Sequence, residues 1–186
     1  GIVRSAEGFV SRLVELKAAG LSTRSCFLLL QSYSHGHITH FLRSSYEASG
    51  WPREFDDVLV RGVESLVGEP LGPDQREQCF LRLSGGGLGL ASAELSAEAA
   101  FLGSWALLLK EVCCVLGVAS WEGFRSKCKP LADSLAEAEA KLWGQLEVGE
   151  AVPSINWVDL LSEPKPKLQS LWSSRLHDHR LRRLLA

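Results

Sequence analysis

Residues 95–116 read LSAEAAFLGSWALLLKEVCCVL. Leu95, Ala99, Leu102, Ala106, Leu109, Cys113 and Leu116 step by four and three through this stretch, so at 3.6 residues per turn they line one apolar stripe of a helix. A stripe of this length is stable only against other apolar faces, so the helix must pack on other helices. Lys110 and Glu111 interrupt the apolar run from Phe101 to Trp121 near its centre, where a bilayer would penalise them. The run is therefore expected as a buried helix, and no membrane is expected among the partners.

The flanking sequence has the same helical character. Toward the N-terminus, Phe9, Val10, Leu13, Val14 and Leu16 recur at helical spacing, and Gly20 stands where that helix would stop. Ser22 can cap a second helix through CFLLLQSYSHGHITHFLRSSY, with Gly36 as a weak point. Pro52 suits the first turn of a third helix that runs to about Val67 and closes at Gly68. A short helix is expected after Gly72-Pro73, through DQREQCF. Toward the C-terminus, Phe124, Leu131, Leu135, Ala138, Leu142 and Leu146 form a further stripe, beginning in earnest after Pro130. Pro153-Ser154 is expected to open a helical turn carrying Trp157 and Leu160, EPKPK is a stiff connector, and Leu168 to Leu185 is again helical. No period-two strand stands out. The expected fold is all-α, an irregular multi-helix bundle with a glycine-rich turn between helices.

The chain has 186 residues, enough for one ordinary domain or a small domain with an appendage. With 46% hydrophobic and 23% charged residues it has the balance of a soluble globular protein. A formal charge of −2 gives no general attraction to nucleic acid or anionic lipid, so such binding would need a local patch. Five cysteines without a C-x-x-C pair argue against both a disulfide scaffold and a zinc knuckle, and favour an intracellular setting, cytoplasmic or nuclear. GIVRSAEGFVSR lacks the continuous apolar core of a signal peptide. The absence of methionine leads to the expectation that this is a piece of a longer protein.

Residues 83–93, LSGGGLGLASA, invite a phosphate-binding reading. A dinucleotide turn needs G-x-G-x-x-G, but Ser92 stands where the third glycine belongs, and no lysine follows as a P-loop requires. Glycines 85, 86, 87 and 89 are instead expected to form a structural turn anchored by Leu88 and Leu90. His35, His37 and His40 crowd SHGHITH, yet on a continuous helix His35 points about 200° away from His37, so metal binding would require unwinding at Gly36. Asp56 and Asp57 echo a polymerase metal pair, but lack the hairpin and third carboxylate that two metals need. They are expected to act as charges near the start of their own helix. No nucleophile elbow or Cys-His signature supports hydrolase chemistry, and no cofactor is expected. Lys165, Lys167, Arg175, Arg180, Arg182 and Arg183 face only Asp178 as an acid after Glu163. This basic segment can lie along phosphates, or it can be an ordinary solvated face.

Several stretches, taken in order, resemble the region downstream of the catalytic palm in reverse transcriptases of non-LTR retrotransposons. They are HFLR from His40 to Arg43, FDDVLVRGVESLVG, GPDQREQ, GGLGLASA and FLGSW, covering roughly Cys26 to Trp105. More loosely, LLSEPKPKLQSLWSSRLHD is similar to a proline-rich link before a last helix. Ala91 departs from the pattern, where a basic residue is frequent. The resemblance implies a helical thumb-like domain over 1–150, with a proline-containing linker and basic C-terminal helix over 151–186. It implies a non-catalytic part of an RNA-directed DNA polymerase, contributing template–primer binding or scaffolding. The palm of the same polyprotein, upstream, would be its partner, RNA or DNA its ligand, and Lys165, Lys167, Arg175, Arg180, Arg182 and Arg183 its contacts. No polymerase activity is expected from this segment alone. The alternative is an α-helical protein-interaction module without nucleic-acid binding.

Overall fold

The computed structural model describes residues 1–44, 46, 50–146, 155–163, 165 and 167–185, excepting the side chain of His37. The expected turn start at Pro153-Ser154 and the prolines of EPKPK lie outside the described residues. Within them are nine α-helices and no strand: α1 (Ile2–Ala18), α2 (Thr23–Ser44), α3 (Trp51–Val67), α4 (Pro73–Cys79), α5 (Ala93–Leu116), α6 (Trp121–Lys127), α7 (Lys129–Gly144), α8 (Trp157–Ser162) and α9 (Leu168–Leu185). A single 3₁₀ turn, Leu83–Gly85, lies between α4 and α5. The fold is all-α, as the periodicity predicts.

The chain forms two compact units. Unit 1 comprises Gly1–Phe41, Glu47–Ser96 and Arg180–Ala186, and unit 2 comprises Leu42–Tyr46 and Ala97–His179. Both are discontinuous in sequence, whereas the expected boundary at residue 150 divides the chain once.

In unit 1, α1 packs along α3. Gly62 permits the approach, because a Cβ there would lie 3.1 Å from a Val10 methyl. The Lys17 ammonium donates to the Leu66 carbonyl at the far end of the pair. Phe9 stacks on Tyr33 of α2 with ring centroids 4.0 Å apart, and Tyr33 stacks in turn near Phe55. The start of α2 is capped as its sequence predicts, with the Ser25 amide donating to the Ser22 hydroxyl at 3.1 Å. Gly36 does not interrupt the helix. It sits inside the unbroken α2 with open space around it, so the expected weak point is corrected: surrounding turns carry a lone glycine at a cost of only about 1 kcal/mol. Helix α3 ends at Gly68, whose left-handed backbone (φ 89°) sends its amide to the Glu64 carbonyl.

Unit 2 is built around the stripe of α5. Ala99, Leu102, Ala106, Leu109 and Cys113 are all buried, facing Leu135, Ala138, Leu142 and Leu146 of the second predicted stripe together with Trp157, Leu160, Trp172 and Leu176. That second stripe belongs to two helices rather than one, since Phe124 lies on α6 and Pro130 occupies the first turn of α7. Trp121 stacks on both Phe124 and Trp157. The carboxylate of Glu139 gathers this corner by accepting from the indole N–H groups of Trp143 and Trp157, each at 3.3 Å, and from the Ile155 amide at 3.1 Å. By length and composition α5 is also apolar enough to cross a membrane, with half of its apolar window buried inside the protein, features that a core helix and a membrane span share. Its Lys110 and Glu111 are exposed.

Candidate functional site

The adjacent aspartates occupy a different place from the one their sequence suggests. Because α3 begins at Trp51, Asp56 and Asp57 lie beyond its first turn, where Glu54 is the acidic residue. The expected role at the start of their own helix is thereby corrected. Asp56 caps the N-terminus of α5 instead: its carboxyl accepts from the Ser92 hydroxyl at 2.5 Å, the Ala93 amide at 2.7 Å and the Glu94 amide at 3.2 Å. Ser92 in turn accepts from the Leu95 amide at 3.0 Å, as an N-cap does. Burial, opposed by these hydrogen bonds, pushes the Asp56 carboxyl up to about 7. The one available sequence signal was Ser92 with Glu94 ahead of the apolar stripe, a capping pattern.

The glycine-rich turn leads into this cap. Gly86 and Gly89 adopt left-handed backbones. A Cβ on Gly87 would fall 2.2 Å from the Leu81 carbonyl oxygen, so only glycine fits there. The amides of residues 85 through 91 are all spent within the protein. Gly85 and Gly87 donate to the Arg82 carbonyl, Gly86 to Leu83, Leu88 to Gln78, Gly89 to Leu81, Leu90 to Cys79 and Ala91 to the Ser34 hydroxyl. A phosphate cradle needs such donors turned outward. The stretch is a structural turn.

Beside the joint, unit 1 has a charged cleft of about 230 Å³, lined by Arg53, Asp56, Asp57, Arg76, Glu77, Glu94 and Arg180 together with Val60 and Phe80. Arg76 lies 3.7 Å from Asp57 and 3.2 Å from Glu64. The Leu71 amide, then Arg76, hold the Glu64 carboxyl below its usual range against the opposing effect of burial. Three arginines thus face four carboxyl groups, and the opposite charges largely neutralise one another locally.

The six basic residues fall in both units. Arg180, Arg182 and Arg183 belong to unit 1, where Arg183 pairs with Glu77. Burial draws the pKa of the Arg180 guanidinium down, while Glu77 foremost, then Asp56 and Glu94, pull it the other way. Arg182 is exposed. Lys165, Lys167 and Arg175 belong to unit 2, the two lysines exposed and Arg175 half-buried. Lys167 lines a surface groove with Arg43, whose guanidinium donates twice to the Gln169 side-chain oxygen, at 3.1 and 2.8 Å.

Of the three clustered histidines, His35 contacts the Gly89 carbonyl through Nε2 at 3.1 Å, bracing the glycine turn, while His40 packs edge-on against Phe41. Among the described residues no group of three or more potential metal ligands converges. Cys79 is buried, its thiol donating to the Gln75 carbonyl at 3.3 Å, and burial pushes it up to about 11, far from a reactive thiolate. No family model matches the chain, and no curated protein or solved structure matches it.

Proposed function

We propose that the chain is a non-catalytic helical segment of a retroelement-type reverse transcriptase, an RNA-directed DNA polymerase, supporting template–primer binding or scaffolding for a palm supplied elsewhere in the polyprotein. One observation carries this reading. Three of the five stretches on which the sequence resemblance rests are joined within unit 1: Asp56 of the FDD stretch caps Ser92 and α5, and Gln78 of the glutamine-spaced turn donates to the Gly86 carbonyl at 2.9 Å. The Asp56 carboxyl, the Ser92 hydroxyl, the Gln78 side-chain amide and the amides of the glycine turn are all spent on holding helices and turn together. That is the behaviour of a scaffold.

Contacts to nucleic acid would come from Lys165, Lys167, Arg175, Arg180, Arg182 and Arg183. With a net charge of −2 the isolated chain is expected to bind an RNA–DNA hybrid weakly and non-specifically, at roughly 10⁻⁴ to 10⁻⁶ M. The test is a titration of hybrid duplex at two salt concentrations. Replacing Arg175, Arg182 and Arg183 with alanine should lower both affinity and salt slope. Binding as tight as the parent's at both salts would overturn the assignment. Primer extension on an RNA template with magnesium should give no incorporation above background.

A second reading, a protein-interaction module without nucleic-acid binding, is favoured by the engagement of Arg183 with Glu77 and of Arg180 with the neighbouring carboxylates. It requires that the same titration show no salt-dependent binding at all.

A further inference from the structure

Unit 2 carries a surface groove of about 480 Å³ beside the contact of α5 with α9. The two helices approach closely at Gly103, where a Cβ would lie 2.6 Å from that of Gln169. One turn farther along α5, Leu107 and Leu108 line the groove with 47% and 51% of their surface exposed. Both are spaced at i+4 from Gly103 and Ser104, so the four share a face. Ser170 and Ser173 of α9 form the opposite wall. The charge of the lining is one-sided: it includes Arg43 and Lys167, and no carboxylate among the described residues, in a chain whose net charge is −2. Lys167 is also the one non-glycine described residue with positive φ, at 78°. Backbone held in that region costs about 1–3 kcal/mol and clusters where ligands are gripped.

We propose that this groove is the docking site of an acidic amphipathic helix from a partner protein, which seats apolar side chains on Leu107 and Leu108 and carboxylates at Arg43 and Lys167. The exposed leucines favour a peptide over nucleic acid. A phosphodiester backbone would satisfy the two cations but gain little from aliphatic surface, and among the described residues no aromatic ring lines the groove on which a base could stack. An amphipathic helix uses both features, with anchors at i, i+3 and i+4 on the leucines and acids on its flank. The proposal does not rest on the reverse-transcriptase reading. It does claim Lys167, one of the six basic residues named for duplex contact, so the experiment must separate the two uses.

Three fluorescein-labelled probes would be titrated by anisotropy against the full chain: a peptide of glutamate and leucine at helical spacing, its lysine-and-leucine counterpart, and an RNA–DNA hybrid. The acidic peptide should bind and the basic one should not. Leu108→Ser and Lys167→Glu should each weaken the acidic peptide about ten-fold, and Lys167→Glu should raise binding of the basic peptide. Because Leu108 is half exposed, an unchanged melting temperature in Leu108→Ser separates lost docking from lost folding. Leu107→Ser serves the same purpose if Leu108→Ser melts early. Equal binding of both peptides, or no effect of either leucine variant, would overturn the proposal. So would binding of the hybrid alone with loss on Lys167→Glu, which would return that lysine to nucleic acid.

Discussion

The hydroxyl of Ser92 is shared between two partners: it donates to the buried carboxyl of Asp56 at 2.5 Å and accepts from the amide of Leu95 at 3.0 Å. A residue on α3 thereby fixes where α5 begins, 36 positions along the chain. Asp56 is only 6% exposed, and burial raises its carboxyl to about 7 from a reference of 3.8. The folded state therefore binds a proton that the unfolded state has released, over the window from about 4 to about 7. This contribution favours folding at the acid end and is lost as pH rises through the folded value. Denaturation of the parent and of Asp56→Asn across that window should show the variant with the flatter pH profile; parallel profiles would contradict the assignment. Asp56→Ala, which leaves the Ala93 and Glu94 amides without their acceptor, should cost about 1–3 kcal/mol.

The glycine turn makes a graded prediction. At Gly87 an added Cβ would meet the Leu81 carbonyl oxygen at 2.2 Å, which only a backbone shift can relieve. Gly87→Ala should therefore reach or exceed the upper end of the roughly 1–3 kcal/mol typical of overpacking. Gly86 has open space but φ of 78°, so Gly86→Ala should cost only the left-handed penalty of about 1–2 kcal/mol. Urea midpoints for the two variants rank them, and a milder Gly87→Ala would refute the packing account.

Glu139 has three donors, two of them indoles. Glu139→Ala should destabilise by about 1–3 kcal/mol and leave both indole N–H groups unpaired. Glu139→Gln keeps one acceptor oxygen and should recover part of the loss. The emission maximum of the native protein checks this directly, since a tryptophan environment identical to the parent's in Glu139→Ala would mean that the carboxylate holds nothing.

Arg183→Ala removes an exposed pair with Glu77, worth at most about 1 kcal/mol. Its melting temperature should barely move. A loss of hybrid affinity without a loss of stability would support duplex contact by this residue, whereas the reverse would make it a tie to Glu77.

Local patterns carried most of the fold. The α5 stripe, the Ser22 cap and Gly68 as a stop are all decided within a few residues, so periodicity and capping chemistry were enough to place them. Asp56 was legible as a capping acid but not as the cap of α5, because its target is set by how α3 packs and not by its neighbours in sequence. The same holds for Arg183, which looks free on a basic helix until Glu77 is found opposite it. Gly36 misled in the other direction: a glycine lowers helix propensity, and α2 nonetheless continues through it, with buried Leu30, Ser34, Ile38 and Leu42 spaced along one face.

The tryptophans of the protein are unevenly shared. Of the six, Trp51 alone falls in unit 1, while Trp105, Trp121, Trp143, Trp157 and Trp172 fall in unit 2. Intrinsic emission is thus an optical reporter weighted toward one half of the molecule, whereas far-ultraviolet dichroism samples the helices of both. A melt followed by the two signals together becomes a test of cooperativity. Coincident curves mean that the units unfold as one, and an emission transition displaced from the helical one resolves the stability of each unit without cutting the chain.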